Sequence, residues 1–178
     1  TVALAGTQRY DGQSLSDIAW TQKEIEEHAF VSRYIINCFK KIRLREFDEI
    51  GPKTVKAGNL LHLKTQFSVD MVTTNFSDLG SIMLELLHPT SAVCGMPLES
   101  SLEFLLSQEN FDREYFAGYL GPVGFENSTT LHVNLRCMKV SDKNVKVFAG
   151  AGVTEDSQPE KEWLETEMKM NTLLNIFN

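Results

Sequence analysis

Between residues 22 and 45, Val31, Ile35, Cys38, Phe39 and Ile42 recur at steps of three, four and seven. That spacing lines one face of an α-helix. Glu24, Glu26 and Glu27 stand at its start, and Lys40, Lys41, Arg43 and Arg45 near its end, the distribution a helix dipole favours. Residues 58–69 read as a strand. A second helix is expected from a cap at Asn75 or Ser77 to Leu87, then a loop over 88–97. Pro97 opens a third helix ending near Gln108, because proline suits a first helical turn. Three strands follow at 117–125, 130–139 and 145–151, separated by turn-rich Glu126-Asn127-Ser128 and Ser141-Asp142-Lys143-Asn144. They predict an antiparallel meander. Ser157 and Glu160 have the spacing of a capping box for a last helix, with Pro159 in its first turn and its end near Leu174. Helices and strands come in blocks, so the expected fold class is α+β. No repeat or linker divides residues 1–178, which read as one domain.

Composition narrows the classes of function. The 178 residues carry 17 Lys and Arg against 24 Asp and Glu, a net charge of −7. Such a chain is a poor nucleic-acid binder, since affinity there comes from cations neutralising phosphates. No run of eighteen apolar residues occurs, so no membrane span is expected. The start, Thr1-Val2-Ala3-Leu4-Ala5-Gly6, has no basic region and too short an apolar run for a signal peptide. It also lacks Met, which reads as a processed or excised piece. Cys38, Cys94 and Cys137 are odd in number and scattered, which argues against a disulfide framework or a structural zinc site and for a reducing cytoplasm. Nothing points to an obligate oligomer, so a monomer is expected.

Several groups carry candidate chemistry. On the last helix Glu162, Glu165 and Lys169 fall within roughly 60° of one another, apart from an apolar stripe of Trp163, Met170, Leu174 and Phe177. Periodicity alone reads the charged stripe as a solvated face with a Glu165–Lys169 ion pair. Glu24 and Glu27 repeat the same spacing on the first long helix, on or beside its apolar stripe. Two such pairs on separate helices could converge on a hard divalent cation such as Mg²⁺, which takes oxygen ligands and one or two carboxylates. His28 follows Glu24 by four residues rather than three, which weakens a di-iron reading. The small residues of Phe148-Ala149-Gly150-Ala151-Gly152 would let a ligand approach the backbone, whose N–H groups can hold an anion. Glu155 stands where a dinucleotide fingerprint needs glycine. Arg136 shares a strand face with His132 and Asn134, either displayed outward or clamping a carboxylate. The four histidines show no ligand spacing, and no GxSxG elbow occurs. Cys94 reads as a small loop residue rather than a thiol nucleophile.

Taken in order, several strings resemble the chorismate-utilising enzymes, and most closely their isochorismate synthase branch. They are Leu4-Ala5-Gly6-Thr7, Glu26-Glu27-His28, Leu87-His88-Pro89-Thr90 with Ala92, Gly95 and Pro97, Phe111-Asp112-Arg113, Gly121-Pro122-Val123-Gly124, Leu135-Arg136, Phe148-Ala149-Gly150-Ala151-Gly152-Val153, and Glu162-Trp163-Leu164-Glu165-Thr166 with Lys169. The resemblance spans nearly the whole chain and implies a large sandwich of antiparallel sheet and helices. It implies that Glu27 and Glu165 bind Mg²⁺ and that Glu24 and Glu162 hold metal-bound waters. Arg136, the backbone at Gly150 and Lys169 would receive substrate carboxylates. Gly6, Thr90, Ala92 and Phe116 would line the ring pocket, with His88 beside it. The reaction implied is addition of water at C2 of chorismate with loss of the C4 hydroxyl, for menaquinone or siderophore biosynthesis.

In the family a Lys base and a Glu acid precede the Leu-Ala-Gly-Thr string. Residues 1–178 therefore read as the later portion of one catalytic domain whose N-terminal part is missing, inactive by itself. Leu98 follows Pro97 where anthranilate, aminodeoxychorismate and salicylate synthases usually carry Lys, and His88-Pro89-Thr90 also favours isochorismate synthase. Ser91 and Cys94 depart from the family's pocket loop, and the stretch after Thr7 is short. The competing readings are a salicylate or anthranilate synthase and a non-catalytic module that keeps the pocket.

Overall fold

A computed structural model describes residues 1–58 and 60–177. Asn59, inside the predicted strand 58–69, and Asn178 lie outside the described residues. The chain forms two compact units, Thr1–Ala92 and Val93–Asn178. Both combine helices with antiparallel strands, as the α+β expectation requires.

The first unit is a three-stranded antiparallel sheet and the helices that cover it. Its strands are β1 (Val2–Arg9), β2 (Asp48–Ala57) and β3 (Leu60–Ser68), in the order β1-β3-β2. Leu61, Leu63, Thr65 and Phe67 alternate along β3, so they share one face, and all four are buried. Helix α1 (Gln22–Lys41) lies on that face. The Phe39 ring stands 4.9 Å from Phe47 and 6.0 Å from Phe67. Helix α2 (Leu79–Leu87) is tied to α1 by the Tyr34 hydroxyl, which donates to the Leu86 carbonyl at 2.7 Å. The buried stripe of α1 begins with two polar residues, His28 and Ser32. His28 Nε2 meets Thr65 Oγ1 at 2.8 Å and Ser32 Oγ at 3.4 Å, which ties the polar pair to the sheet.

Local signals explain where these elements differ from the sequence pattern. A capping box of Thr21 and Glu24 starts α1. The helix stops at Lys41, not 45, because Arg43 turns left-handed (φ 59) and the Leu44 N–H donates back to the Phe39 carbonyl at 3.0 Å. Glycine usually marks that turn, and none is present to announce it. Strand β2 was hidden by Gly51-Pro52, which reads as a breaker. Among the described residues β2 pairs only with β3, so the proline takes an edge position, and the register shifts between Ile50 and Lys53. Gly51 is required there: a Cβ would stand 2.6 Å from the Lys64 carbonyl oxygen.

The second unit carries α4 (Leu98–Gln108), with Pro97 as its cap, and α5 (Pro159–Leu174). A four-residue turn, α3 (Ser91–Cys94), interrupts the predicted loop just before it. The expected three-strand meander is instead two separate hairpin ladders. β4 (Tyr119–Leu120) pairs with β5 (His132–Val133), and β6 (Cys137–Val140) with β7 (Val145–Phe148). The predicted strand 130–139 breaks because Arg136 adopts φ 50, which ends the alternation of its side chains. The capping box expected at Ser157 and Glu160 does not form. Gln158 caps α5, and the Ser157 hydroxyl accepts from the Thr154 N–H at 2.9 Å. Among the described residues, no helix is long and apolar enough to cross a membrane.

Burial of His28 lowers its pKa from 6.5. The unfolded chain then takes up the proton first as pH falls. Stability is expected to be full above about pH 6.5 and to decline as the pH drops below it. Denaturant unfolding at pH 7.5 and 5.5 measures the slope, and His28→Asn should flatten it.

Candidate functional site

Helix α5 turns its charged stripe inward. Glu162 is only 7% exposed, whereas Trp163 is 63% exposed. The solvated-face reading of that stripe is therefore wrong, and the apolar residues Trp163, Leu174 and Phe177 are the exposed ones. The reason lies in what the charges meet. Lys169 Nζ donates to Glu165 Oε1 at 2.7 Å and to the Gly150 carbonyl, just beyond β7, at 2.9 Å. Glu162 also borders a cavity of about 330 Å³ walled by Ala151, Val153, Pro159, Trp163 and Thr166.

Arg136 completes the polar group. Burial pulls its guanidinium pKa down from the ordinary value, and the negative charge of Glu165 partly restores it. Its left-handed backbone is costly for a residue with a side chain, by about 1–3 kcal/mol. Asn134 holds the segment in place. The Asn134 N–H donates to the Gly118 carbonyl at 2.8 Å, its carbonyl accepts from the Ala117 N–H at 2.9 Å, and its amide donates to the Tyr115 carbonyl at 2.8 Å. These bonds also fix the neighbouring Phe116, whose ring stacks on Phe148 at 5.5 Å and 22°. A Cβ on Gly150 would lie 3.9 Å from Phe116 Cζ. Within the second unit Lys169 joins Glu165 to Gly150, Gly150 lies near Phe116, and the Arg136 guanidinium feels the Glu165 charge, so the five form one patch. A patch with two cations, a carboxylate and an aromatic edge suits a ring that carries carboxylates.

The first unit brings other predicted residues together. Gly6 adopts φ 73 at a bulge between Ala5 and Thr7, and a Cβ there would lie 3.2 Å from Glu24 Cβ. Only glycine lets β1 press onto the first turn of α1 in this way. The Gly6 carbonyl accepts from His62 Nδ1 at 3.0 Å. The Glu24 carboxylate accepts from the Thr21 N–H at 2.9 Å and from its hydroxyl, so it serves the helix cap. Glu27 is half-buried on the next turn. His88 ends α2, donating its N–H to the Leu84 carbonyl, and is half-buried with Thr90, while Ala92 is exposed. A cavity of about 550 Å³ in this unit is lined by residues outside the predicted set, Trp20, Ile25, His28, Pro52, Leu63 and Thr65 among them.

Among the described residues, no three His, Cys, Asp or Glu side chains gather as a self-sufficient metal centre. The donors on α5 are carboxylate oxygens alone. That set fits a hard cation such as Mg²⁺, which keeps several waters and needs only one or two carboxylates. Sequence reasoning passed over Asn134 as a clamp and the pairing of Glu109 with Arg113. Both depend on turns outside the helices that carry no sequence signature.

The sequence matches a family described as chorismate binding enzyme over residues 1–178. It is 30% identical over 183 residues to isochorismate synthase EntC of Escherichia coli (strain K12), covering 99% of this chain and 46% of that protein. It is 32% identical over 168 residues to isochorismate synthase DhbC of Bacillus subtilis (strain 168), covering 92% and 41%. Among solved structures, the menaquinone-specific isochorismate synthase MenF of Escherichia coli superposes with a TM-score of 0.79 at 26% identity, over all of this chain and 42% of its own. The chain spans less than half the length of these relatives.

Lys169→Met removes the ammonium that Glu165 and the Gly150 carbonyl share. A stability loss of about 1 kcal/mol is expected in urea unfolding, since the pair is partly shielded from water. Lys169→Arg should lose less.

Proposed function

The chain belongs to the chorismate-binding enzyme family, and from that premise we propose that it supplies the carboxylate-receiving and metal-binding side of an isochorismate synthase. The observation that carries this reading is the patch of Phe116, Arg136, Gly150, Glu165 and Lys169. Arg136 offers a planar fork that matches a carboxylate. Lys169 has three donors, two of them used on Glu165 and Gly150, which leaves one for a substrate oxygen. In the second unit Phe116 would lie along the substrate ring; in the first, the resemblance makes Gly6, Thr90 and Ala92 pocket residues, with His88 beside them. The resemblance would give Glu165 of the second unit and Glu27 of the first to Mg²⁺, with Glu162 and Glu24 for its waters, and the cation would supply the positive charge that lets a dianion settle beside carboxylates.

The reaction on this reading is an isomerisation. A water oxygen bonds to C2 of chorismate, the ring double bonds shift, and the C4 hydroxyl leaves with a proton as water. It needs a base for the incoming water and an acid for the leaving group. The family's Lys and Glu for those tasks have no matching string in residues 1–178. The 178 residues alone are therefore proposed to bind without turnover. Leu98 and the His88-Pro89-Thr90 string support isochorismate over salicylate or anthranilate as product, and the product would feed menaquinone or siderophore synthesis.

The test is to incubate the complete gene product with chorismate, with and without Mg²⁺, and identify products by chromatography and mass. Isochorismate formed only with Mg²⁺ is expected. Glu165→Ala should lower kcat/KM by about 100-fold or more while circular dichroism stays unchanged, and residues 1–178 alone should give no product. Salicylate or anthranilate would move the protein to another branch of the family. No product from a folded complete chain would favour a binding module.

A further inference from the structure

The segment that presents Phe116 is held from behind by a pair that the reaction itself does not use. Arg113 Nε donates to Glu109 Oε2 at 2.6 Å and Nη2 donates to Glu109 Oε1 at 2.5 Å. This is a two-pronged contact with both side chains about a quarter exposed. Such forks fix orientation as well as charge. Glu109 itself caps α4, its N–H donating to the Leu105 carbonyl at 2.9 Å, so the guanidinium is anchored to the end of a three-turn helix. From that anchor the guanidinium carbon lies 5.9 Å from the centre of the Phe116 ring. Phe116 stacks on Phe148, which is buried and carries Lys146 Nζ at 4.8 Å from its centre. The ring thus has a fixed cation 5.9 Å from its centre and a buried aromatic stacked on it, with its Cζ edge near Gly150.

The backbone around it needs that support. Glu114 and Ala117, on either side of the ring, both adopt left-handed angles, φ 51 and φ 68. The Phe116 N–H donates to the Arg113 carbonyl at 2.8 Å, which couples the turn directly to Arg113. We propose that Arg113, locked by Glu109, is a positioning residue that sets the Phe116 ring as the wall against which the substrate ring is recognised. This rests on the functional reading above and deepens it: the pair acts on substrate affinity through Phe116 and touches no reacting atom.

The experiment measures KM and kcat for chorismate in the complete gene product carrying Arg113→Met, Arg113→Lys, Phe116→Leu and the double variant Arg113→Met/Phe116→Leu. Arg113→Met should raise KM by about five- to tenfold, the scale of a cation held over an aromatic face, with kcat within about twofold. Arg113→Lys keeps the charge but loses the fork and should behave like Arg113→Met. The double variant should be no worse than the worse single one, because both changes break the same contact. Glu109→Gln keeps the shape and should give a smaller KM rise, so the idea is tested even where an Arg113 variant does not fold. An unchanged KM in folded Arg113→Met, or single effects that multiply in the double variant, would overturn the positioning role. A wild type that makes no isochorismate would overturn the functional reading instead. Chorismate affinity by calorimetry would then decide the role of Arg113 by the same pattern.

Discussion

One ion pair organises the second unit. Lys169 neutralises Glu165 across one turn of α5 and reaches the Gly150 carbonyl in the same stroke. That ammonium helps offset the cost of turning a face bearing Glu162 and Glu165 inward while Trp163 stays in water. With it, the stripe lies beside the end of β7, the Arg136 guanidinium finds a counter-charge, and the aromatic pair Phe116 and Phe148 closes the other side. Buried charges are tolerated only when paired and hydrogen-bonded. On the proposed reading, the pairing leaves the acidic helix with two cations, Lys169 and Arg136, to meet an anionic ring.

The same logic of local constraint builds the first unit. Its aromatic core of Phe39, Phe47 and Phe67 fixes α1 on the sheet. The capping box fixes where α1 begins, and Gly6 lets β1 come close enough to touch that first turn. Glu24 thereby serves the helix, and Glu27 sits one turn along on a segment whose position is set at both ends. The polar residues His28, Ser32 and Thr65 lie inside this packing as a small hydrogen-bonded set. They stabilise the α1–β3 contact in the uncharged state of the histidine.

Much of this was legible in the sequence, and the misses share a cause. The apolar period of α1 follows from spacing and the strand β3 from its apolar run. The helices α2, α4 and α5 follow from cap and proline signals near their starts, although Asp78 and Gln158 cap α2 and α5 in place of the expected residues. The edge strand β2 did not, because its exposed side chains carry no alternation and Gly51-Pro52 imitates a turn. The break at Arg136 did not, because a left-handed arginine has no compositional mark and the surrounding residues alternate as a strand would. The inward turn of the α5 stripe was invisible to periodicity, which counts charges as solvated and cannot see the carbonyl and guanidinium that receive them. Spacing and pattern singled out Glu24, Glu27, Glu162, Glu165, Lys169, Arg136 and Gly150, and the resemblance added Gly6, His88, Thr90, Ala92 and Phe116. Within the second unit the structure brings Phe116, Arg136, Gly150, Glu165 and Lys169 of that set into one patch, and within the first it brings Gly6 against Glu24. What the strings could not convey is the supporting layer, Asn134 behind Arg136 and Glu109 with Arg113 behind Phe116.

The central claim is that this patch receives the carboxylate of an anionic ring. Calorimetric titration of chorismate into the complete gene product in Mg²⁺, wild type against Arg136→Leu, tests it most directly. Losing a partly buried cation that pairs with a ligand carboxylate should weaken binding by about 30-fold or more, with Arg136→Lys recovering part of it. Equal affinity in wild type and Arg136→Leu would contradict the account and place the substrate carboxylate elsewhere.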